Sequence, residues 1–135
     1  MKSSENQSPI FPKGEPAPPD YFTGTASVKT LLPNGPTLNC QIGNVVFEAG
    51  ARNNWHTHPG GQILIVTDGV GYYQEKGKAI QVIRRGDTIA IPPNIEHWHG
   101  ASRESAMTHI AINPNTQNGV VTWLQRVTDE EFNSL

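Results

Sequence analysis

Short runs of strand-forming residues, separated by turn residues, make up most of this chain. From Ala26 onward, runs rich in Val, Ile, Thr and aromatic residues are interrupted by Gly, Pro and Asn at intervals typical of β-sandwiches and barrels. Thr128 and Glu131 have the spacing of a capping box and predict one short C-terminal helix. The sequence therefore predicts an all-β meander or barrel, with strands at Val28–Leu32, Asn39–Glu48, Gln62–Asp68, Val70–Glu75, Ala79–Arg84, Asp87–Ile91, Glu96–Ala101 and Ser105–Ile112.

The first 20 residues differ in composition from the rest of the chain. They hold five of the eleven prolines, and proline cannot donate a hydrogen bond to a strand ladder. We expect residues 1–20 to form a proline-rich arm that is either disordered or laid across a neighbouring subunit. Residues 21–135 have the length of one compact domain, which we expect to be the only full domain in these 135 residues.

Composition argues against several classes of function. The net charge is −2 and the ten Lys and Arg residues are dispersed, so no surface for nucleic acid is predicted. No apolar run approaches the roughly 18 residues that a membrane-spanning helix needs. The N-terminus has charge and proline where a secretory signal needs an apolar segment, and Cys40 is the only cysteine. We therefore expect a cytoplasmic protein that binds neither nucleic acid nor membrane.

All five histidines lie within the predicted β region. His56 and His58 are two residues apart, and His97 and His99 repeat this spacing, which places both members of a pair on one face of an extended strand. His109 lies on the next predicted strand. Because the inward faces of several strands converge in a barrel, such residues can share one metal ion. The alternative is a set of structural histidines, each satisfied by its own hydrogen bonds.

The glycines around these histidines carry a resemblance to a known family. The segments Gly50–Gly69, GARNNWHTHPGGQILIVTDG, and Gly86–Ala101, GDTIAIPPNIEHWHGA, resemble the two sequence motifs of the cupin superfamily, in the same order and 16 residues apart. The resemblance implies a small single-domain bacterial cupin with the RmlC-like double-stranded β-helix, also called a jelly-roll barrel. It also implies one divalent transition metal ion per chain, with the ligands His56, His58, Gln62 and His97.

Gln62 stands where the first cupin motif has a glutamate. A Gln side chain can bind a metal ion through its carbonyl oxygen, but it brings no negative charge. The implied ligand set is therefore neutral, which leaves the full charge of the ion available to substrate oxygen atoms but retains the ion less strongly. Nitrogen-rich ligation suits Mn, Fe, Co, Ni, Cu or Zn. The alternative is a cupin that has lost its metal ion.

A closer resemblance extends over nearly the whole chain from Tyr21. The segments YFTGT, WHTHPGGQ, HWHGA, AMTH and VTDEEF are similar to those of the manganese-dependent bacterial cupin hydroxynitrile lyases, which cleave or form aromatic cyanohydrins. This resemblance implies manganese as the metal and a lyase acting on small cyanohydrin-type substrates. It implies that His109 is the general base. It implies that His99 either orients the substrate or supports one of the metal ligands. For both histidines, the alternative is a hydrogen-bonded core residue.

Two other functions are compatible with the same motifs. An oxygen-activating cupin of the dioxygenase type would use Fe(II) with a three-histidine set. A non-catalytic cupin, related to those associated with carboxymuconolactone decarboxylase, would bind a small molecule or a metal ion. The expected partner of either enzyme is a small-molecule substrate, and the resemblance implies a homodimer or homotetramer.

Overall fold

The computed structural model describes residues 9–135 and consists mainly of β-strands, which confirms the all-β prediction. A single turn of 3-10 helix, Thr116–Asn118, follows the last long strand. No helix within the described range is long and apolar enough to cross a membrane. The elements are β1 Glu15–Pro16, β2 Phe22–Thr23, β3 Ala26–Leu32, β4 Gln41–Phe47, β5 Arg52–Asn53, β6 His56–Thr57, β7 Gln62–Glu75, β8 Gln81–Arg84, β9 Thr88–Ile91, β10 His97–Ala101, β11 Met107–Asn113, β12 Thr122–Trp123 and α1 Asp129–Phe132.

The long strand β7 joins two layers of antiparallel sheet. Its first part pairs with β9 and β11, and its second part pairs with β8 and β10. The first layer continues from β11 through β4 and β3 to β1, whereas the second continues from β10 through β5 to β2. β6 pairs with both β10 and β12. Because the two layers curl around a shared hydrophobic cluster, the chain forms a jelly-roll barrel, as predicted.

The structure corrects one predicted strand boundary. The sequence predicts two strands, Gln62–Asp68 and Val70–Glu75, with a break at Gly69, and this is wrong because they form one strand of 14 residues. Gly69 has a φ of 78° within this strand, and close to it the register with β11 shifts between Thr108 and His109. A glycine next to such an irregularity bends the strand from one layer into the other without ending it.

Five strands of two residues each, β1, β2, β5, β6 and β12, are absent from the sequence prediction. Two residues are too few to show the alternation that identifies a strand. β1 lies in the stretch predicted as an arm, and it pairs with β3 of the same chain, where Glu15 lies opposite Val28. Residues 1–8 of the predicted arm lie outside the described residues.

The hydrophobic core lies between the two layers. The strand faces that surround it become polar toward one end of the barrel. Leu64 and Val66 of β7 pack in this core with Met107 of β11. The alternation of β11 also turns His109 and Asn113 inward, where both are buried. The polar end of these strand faces builds the candidate site.

The C-terminal helix α1 is fixed at both its start and its flank. The predicted capping box is present: the Thr128 hydroxyl accepts from the Glu131 backbone N–H at 3.1 Å, and the Thr128 N–H donates to the Glu131 carboxylate at 2.9 Å. Arg52 of β5 donates to the Asp129 carboxylate at 2.7 Å, and its guanidinium lies 4.6 Å from the centre of the Phe132 ring. These contacts hold the C-terminus against the barrel.

Gly69→Ala tests the bend in β7. A methyl group at this position would overlap the carbonyl oxygen of Ala106. Gly77 offers a matched control, because its φ of 84° is equally unusual but no atom lies within 4 Å of an added Cβ. We expect Gly77→Ala to lower the free energy of unfolding by about 1–2 kcal/mol. Gly69→Ala should lower it by about 1–3 kcal/mol more, measured by urea unfolding. Equal losses would contradict the steric role of Gly69.

Candidate metal centre

The structure brings all six predicted site residues together on the inner side of the barrel. They come from β6 and the turn after it, from the start of β7, and from β10 and β11. His56 lies opposite His97 in the pairing of β6 with β10, which puts their ring centres 4.2 Å apart. None of the six is more than 5% exposed; they are His56, His58, Gln62, His97, His99 and His109.

Three of these rings present the same nitrogen to the site. Nδ1 of His56, of His58 and of His97 each lies within hydrogen-bond distance of a backbone carbonyl, which can only accept. Each Nδ1 therefore carries the proton, and in a neutral ring Nε2 then has a free lone pair. Nε2 of His58 is buried and has no hydrogen-bond partner in the described part of the chain. The three acceptors are the carbonyls of Asn54, Val120 and Ile95, at 2.7, 2.7 and 2.8 Å.

The side chain of Gln62 points its carbonyl oxygen at these nitrogens. Its Nε2 donates to Oδ1 of Asn113 at 2.9 Å, so Oε1 faces the other way and lies 3.4 Å from Nε2 of His97. Both atoms are acceptors, and their lone pairs face each other. Two ligands that bind one ion at about 2.1 Å and at right angles are about 3 Å apart. A cation between Gln62 and His97 therefore fits the donor atoms that are present.

His99 and His109 form a hydrogen-bonded pair beside this group. Nε2 of His99 lies 3.3 Å from Oε1 of Gln62, which can only accept, so this nitrogen carries the proton. Nδ1 of His99 then accepts from Nε2 of His109 at 3.0 Å. The side-chain carbonyl of Asn53 accepts the backbone N–H of His99 at 3.0 Å and helps to hold the residue in place. His99 thus presents a proton, rather than a lone pair, to the candidate site.

A three-histidine group in this site can hold a metal ion. Ring nitrogens of His56, His97 and His99 all lie within 4.8 Å of one another. Distance alone therefore admits His99 as a ligand, although the sequence predicts His58 in its place. The hydrogen bonds favour His58, because its Nε2 has a free lone pair whereas Nε2 of His99 donates to Gln62. The set His56, His58, Gln62 and His97 stays a prediction that these contacts support.

Burial keeps the histidines neutral. It lowers the pKa of all five, to about 4 for His97 and for His109. Neighbouring imidazoles lower the pKa of His56 and His99 further. No Asp or Glu is among the described residues that line the adjoining cavity. The nitrogen lone pairs are therefore available at neutral pH, and the donor set carries no negative charge.

The site lies at the polar end of an apolar cavity of about 360 Å³. Val28 and Val45 belong to one wall, and Phe22 and Trp123 to another. The rings of Tyr21 and Trp123 stack with their centres 4.7 Å apart. Apart from Tyr21 and Thr30, the polar residues of the lining are grouped around the histidines: Gln41, Asn53, His56, His58, Gln62, His99, His109 and Asn113. A small molecule with an apolar body and a polar reacting group suits this arrangement.

Three amide side chains of the site were not identified from the sequence. Asn113 is four residues after His109 on β11, so the alternation that turns His109 inward also turns Asn113 inward. That signal was available, since a polar residue at an inward position needs a partner. Asn53 lies on a two-residue strand, and Gln41 is at the edge of β4, so neither had a recognisable pattern.

Comparison with known proteins identifies the family and a relative of named activity. A family model for the cupin domain matches residues 43–121. An (R)-mandelonitrile lyase from Granulicella tundricola is 44% identical over 115 residues, which cover 85% of this chain and 88% of the relative.

Solved structures support the same fold. A cupin-like protein from Thermotoga maritima superposes with a TM-score of 0.92 and 46% identity, covering 94% of this chain and 96% of the other. A cupin 2 conserved barrel domain protein from Rhodopseudomonas palustris has a TM-score of 0.67 and 20% identity, covering 90% and 81% of the two chains. The second likeness concerns the fold alone.

Removing His58 or His99 tests which of them is the third histidine ligand, beside His56 and His97. We expect His58→Ala to weaken Co(II) and Mn(II) binding by more than about 100-fold, because it removes a lone pair that faces the ion. His99→Ala should cost about tenfold, the smaller effect of losing a group that supports a ligand. Dissociation constants from chelator competition measure both. The reverse order would assign His99 as the ligand instead.

The lowered histidine pKa values predict acid sensitivity of the metal-free protein. Between about pH 6.5 and pH 4, the unfolded chain binds protons that the folded chain excludes, so stability should fall as the pH falls. Within that window, each buried histidine lowers the free energy of unfolding by about 1.4 kcal/mol for every pH unit that the pH falls. Above the window it has no such effect. Urea unfolding at pH 7.5, 6 and 5 measures the slope. His109→Gln should reduce the slope by one histidine's share, and an unchanged slope would contradict the burial effect.

Proposed function

This chain belongs to the cupin domain family, and on that premise we propose that it is a metal-dependent lyase for small aromatic cyanohydrins. The observation that carries the proposal is a neutral donor set at the polar end of an apolar cavity. The 44% identical relative is named for the cleavage of a cyanohydrin with one aromatic ring, and the cavity dimensions suit a substrate of that class.

The residues present fit a divalent metal ion. His56, His58 and His97 supply nitrogen lone pairs, and Gln62 supplies a carbonyl oxygen. A bound ion, manganese by resemblance, would supply Lewis-acid chemistry toward an oxygen or nitrile nitrogen of the substrate. With no carboxylate among the four side chains, the protein does not offset the charge of the ion. The donor set therefore favours electrophilic catalysis over tight retention of the metal.

The cavity would bind the substrate by its apolar part. Val45 and Trp123 offer apolar surface to an aromatic ring, and the stacked pair of Tyr21 and Trp123 extends that surface. Apart from Tyr21 and Thr30, the polar side chains that line the cavity are those around the histidines. This arrangement orients the hydroxyl and nitrile groups toward the site and limits the access of water to it.

The His99–His109 pair would handle the proton. Nδ1 of His109 is the one ring nitrogen of the pair without a hydrogen-bond partner among the described residues, because Nε2 donates to His99. We place at this Nδ1 the proton that leaves the cyanohydrin hydroxyl. The carbon–nitrile bond then breaks and its electron pair leaves with cyanide, while an electron pair of the deprotonated oxygen forms the second bond of the C=O group. Return of the proton to cyanide completes the reaction, which yields an aldehyde and hydrogen cyanide.

Burial suits His109 for this step at neutral pH. It lowers the pKa of His109 to about 4, so the ring is neutral and able to accept a proton. Phe47 packs against both rings of the pair, at 5.4 and 6.2 Å between ring centres, and fixes their orientation. A base with so low a pKa needs a substrate hydroxyl that is made more acidic, which is the contribution expected from a Lewis acid.

Mn(II)-loaded protein should cleave mandelonitrile and release benzaldehyde, followed by its ultraviolet absorbance. His109→Ala should reduce kcat/KM by about 100-fold or more, because it removes the proton acceptor. Thr108→Ala is the matched control, since Thr108 is adjacent on β11 but on its other face. The control should keep the activity of the unaltered protein.

Three outcomes would contradict the proposal. Metal-loaded protein that releases no more benzaldehyde than His109→Ala is not a lyase of this kind. Activity that stops in the absence of O₂ would indicate an oxygen-activating cupin instead. Stoichiometric metal binding without turnover would favour a binding protein.

A further inference from the structure

The amide of Gln62 can face the site in two ways, and only one of them can bind a cation. Its two ends have nearly the same shape, but one is a carbonyl oxygen and the other is a donor of two N–H groups. Turning the amide over would direct N–H groups at Nε2 of His97 and at the metal position. A charged glutamate at this position would have no such choice, since its two oxygens are equivalent. A glutamine ligand therefore needs a neighbouring group that fixes the orientation of its amide.

We propose that Asn113 is the positioning residue that holds Gln62 with its carbonyl oxygen toward the metal. This inference rests on the proposed metal centre. Oδ1 of Asn113 accepts from Nε2 of Gln62 at 2.9 Å, and Nδ2 of Asn113 donates to Oε1 of Gln41 at 3.1 Å. Asn113 is 8% exposed and Gln62 is 5% exposed, so hydrogen bonds to water can hardly replace the one between them. Gln41 accepts from the other end of the Asn113 amide, which leaves Oδ1 of Asn113 facing Gln62.

The other end of Gln62 reinforces the same orientation. Its Oε1 accepts from Nε2 of His99 at 3.3 Å, and the proton on that nitrogen is set by the donation from His109 to Nδ1 of His99. If Gln62 alone turned over, its N–H groups would face the N–H of His99, and its oxygen would face the oxygen of Asn113. Two like groups would then meet at each end. The hydrogen bonds from His109 to Gln41 thus form one chain with a single direction.

Asn113→Asp and Asn113→Leu separate orientation from packing. The aspartate can still accept from Nε2 of Gln62, and Gln41 can turn its own amide to donate to it. The leucine has nearly the same shape but accepts nothing. We expect Asn113→Leu to weaken Co(II) and Mn(II) binding by about 10–100-fold, and Asn113→Asp to restore most of this loss. Chelator competition gives the dissociation constants, and the visible spectrum of bound Co(II) should change in Asn113→Leu alone.

The same leucine substitution in a Gln62→Glu background is the decisive comparison. A carboxylate binds equally well through either oxygen, so an orienting residue is no longer needed. Asn113→Leu should therefore cost much less metal affinity beside Gln62→Glu than beside glutamine, and should leave the Co(II) spectrum of that background unchanged. A purely structural role of Asn113 would give the same loss in both backgrounds.

The results distinguish failure of this inference from failure of the proposed function. Native protein that binds neither Co(II) nor Mn(II) overturns the metal centre itself. Native protein that binds metal, with an unchanged constant and spectrum in Asn113→Leu, overturns only the role of Asn113. Equal losses in Asn113→Leu and Asn113→Asp also overturn it. If Asn113→Leu does not fold by circular dichroism, Gln41→Leu replaces it, with a smaller loss expected and an unchanged affinity counting against the proposal.

Discussion

The hydrogen bond from Nδ1 of a histidine to a backbone carbonyl is the interaction on which the candidate site depends. It occurs at His56, His58 and His97, with distances of 2.7–2.8 Å. A carbonyl only accepts, so each bond fixes both the direction of the ring and the nitrogen that is left with a lone pair. Burial then lowers the pKa of each ring and keeps it neutral. Backbone carbonyls of the barrel therefore orient three nitrogen lone pairs that could hold a metal ion, without a carboxylate.

Hydrogen bonds also orient the uncharged carbonyl oxygen of Gln62. A carboxylate would bind a cation more tightly and would need no orientation, whereas an amide depends on Asn113 at one end and on His99 at the other. The candidate centre therefore exchanges electrostatic retention of the ion for a site whose reactivity is set by hydrogen-bond direction. Because His109 belongs to the same chain of hydrogen bonds, the group proposed to move the proton and Gln62, which is proposed to bind the metal, are linked through His99 by two hydrogen bonds.

The sequence predicts features that repeat with a short period and misses those that depend on distant contacts. The spacing of His56 and His58 translates into one face of an extended segment, and the resemblance to cupins correctly implied the family and the barrel. The sequence predicts a strand end at Gly69, and this is wrong because the strand continues through the positive φ of this glycine from one layer into the other. Gln41 and Asn53 contact Asn113 and His99 from neighbouring strands that are far away in the sequence, so nothing local in the sequence marks them.

Strand β11 shows how alternation alone distributes the parts of such a site. Its inward positions are Met107, His109, Ala111 and Asn113, all at most 8% exposed. Met107 packs in the hydrophobic core, the Nδ1 of His109 has no hydrogen-bond partner among the described residues, and Asn113 accepts a hydrogen bond from the amide of Gln62. Ala111 lies between the last two and lines the cavity, where its small side chain leaves space for a substrate. A larger residue at this position would fill the space between His109 and Asn113, so the small volume of Ala111 is as much a part of the candidate site as its polar neighbours.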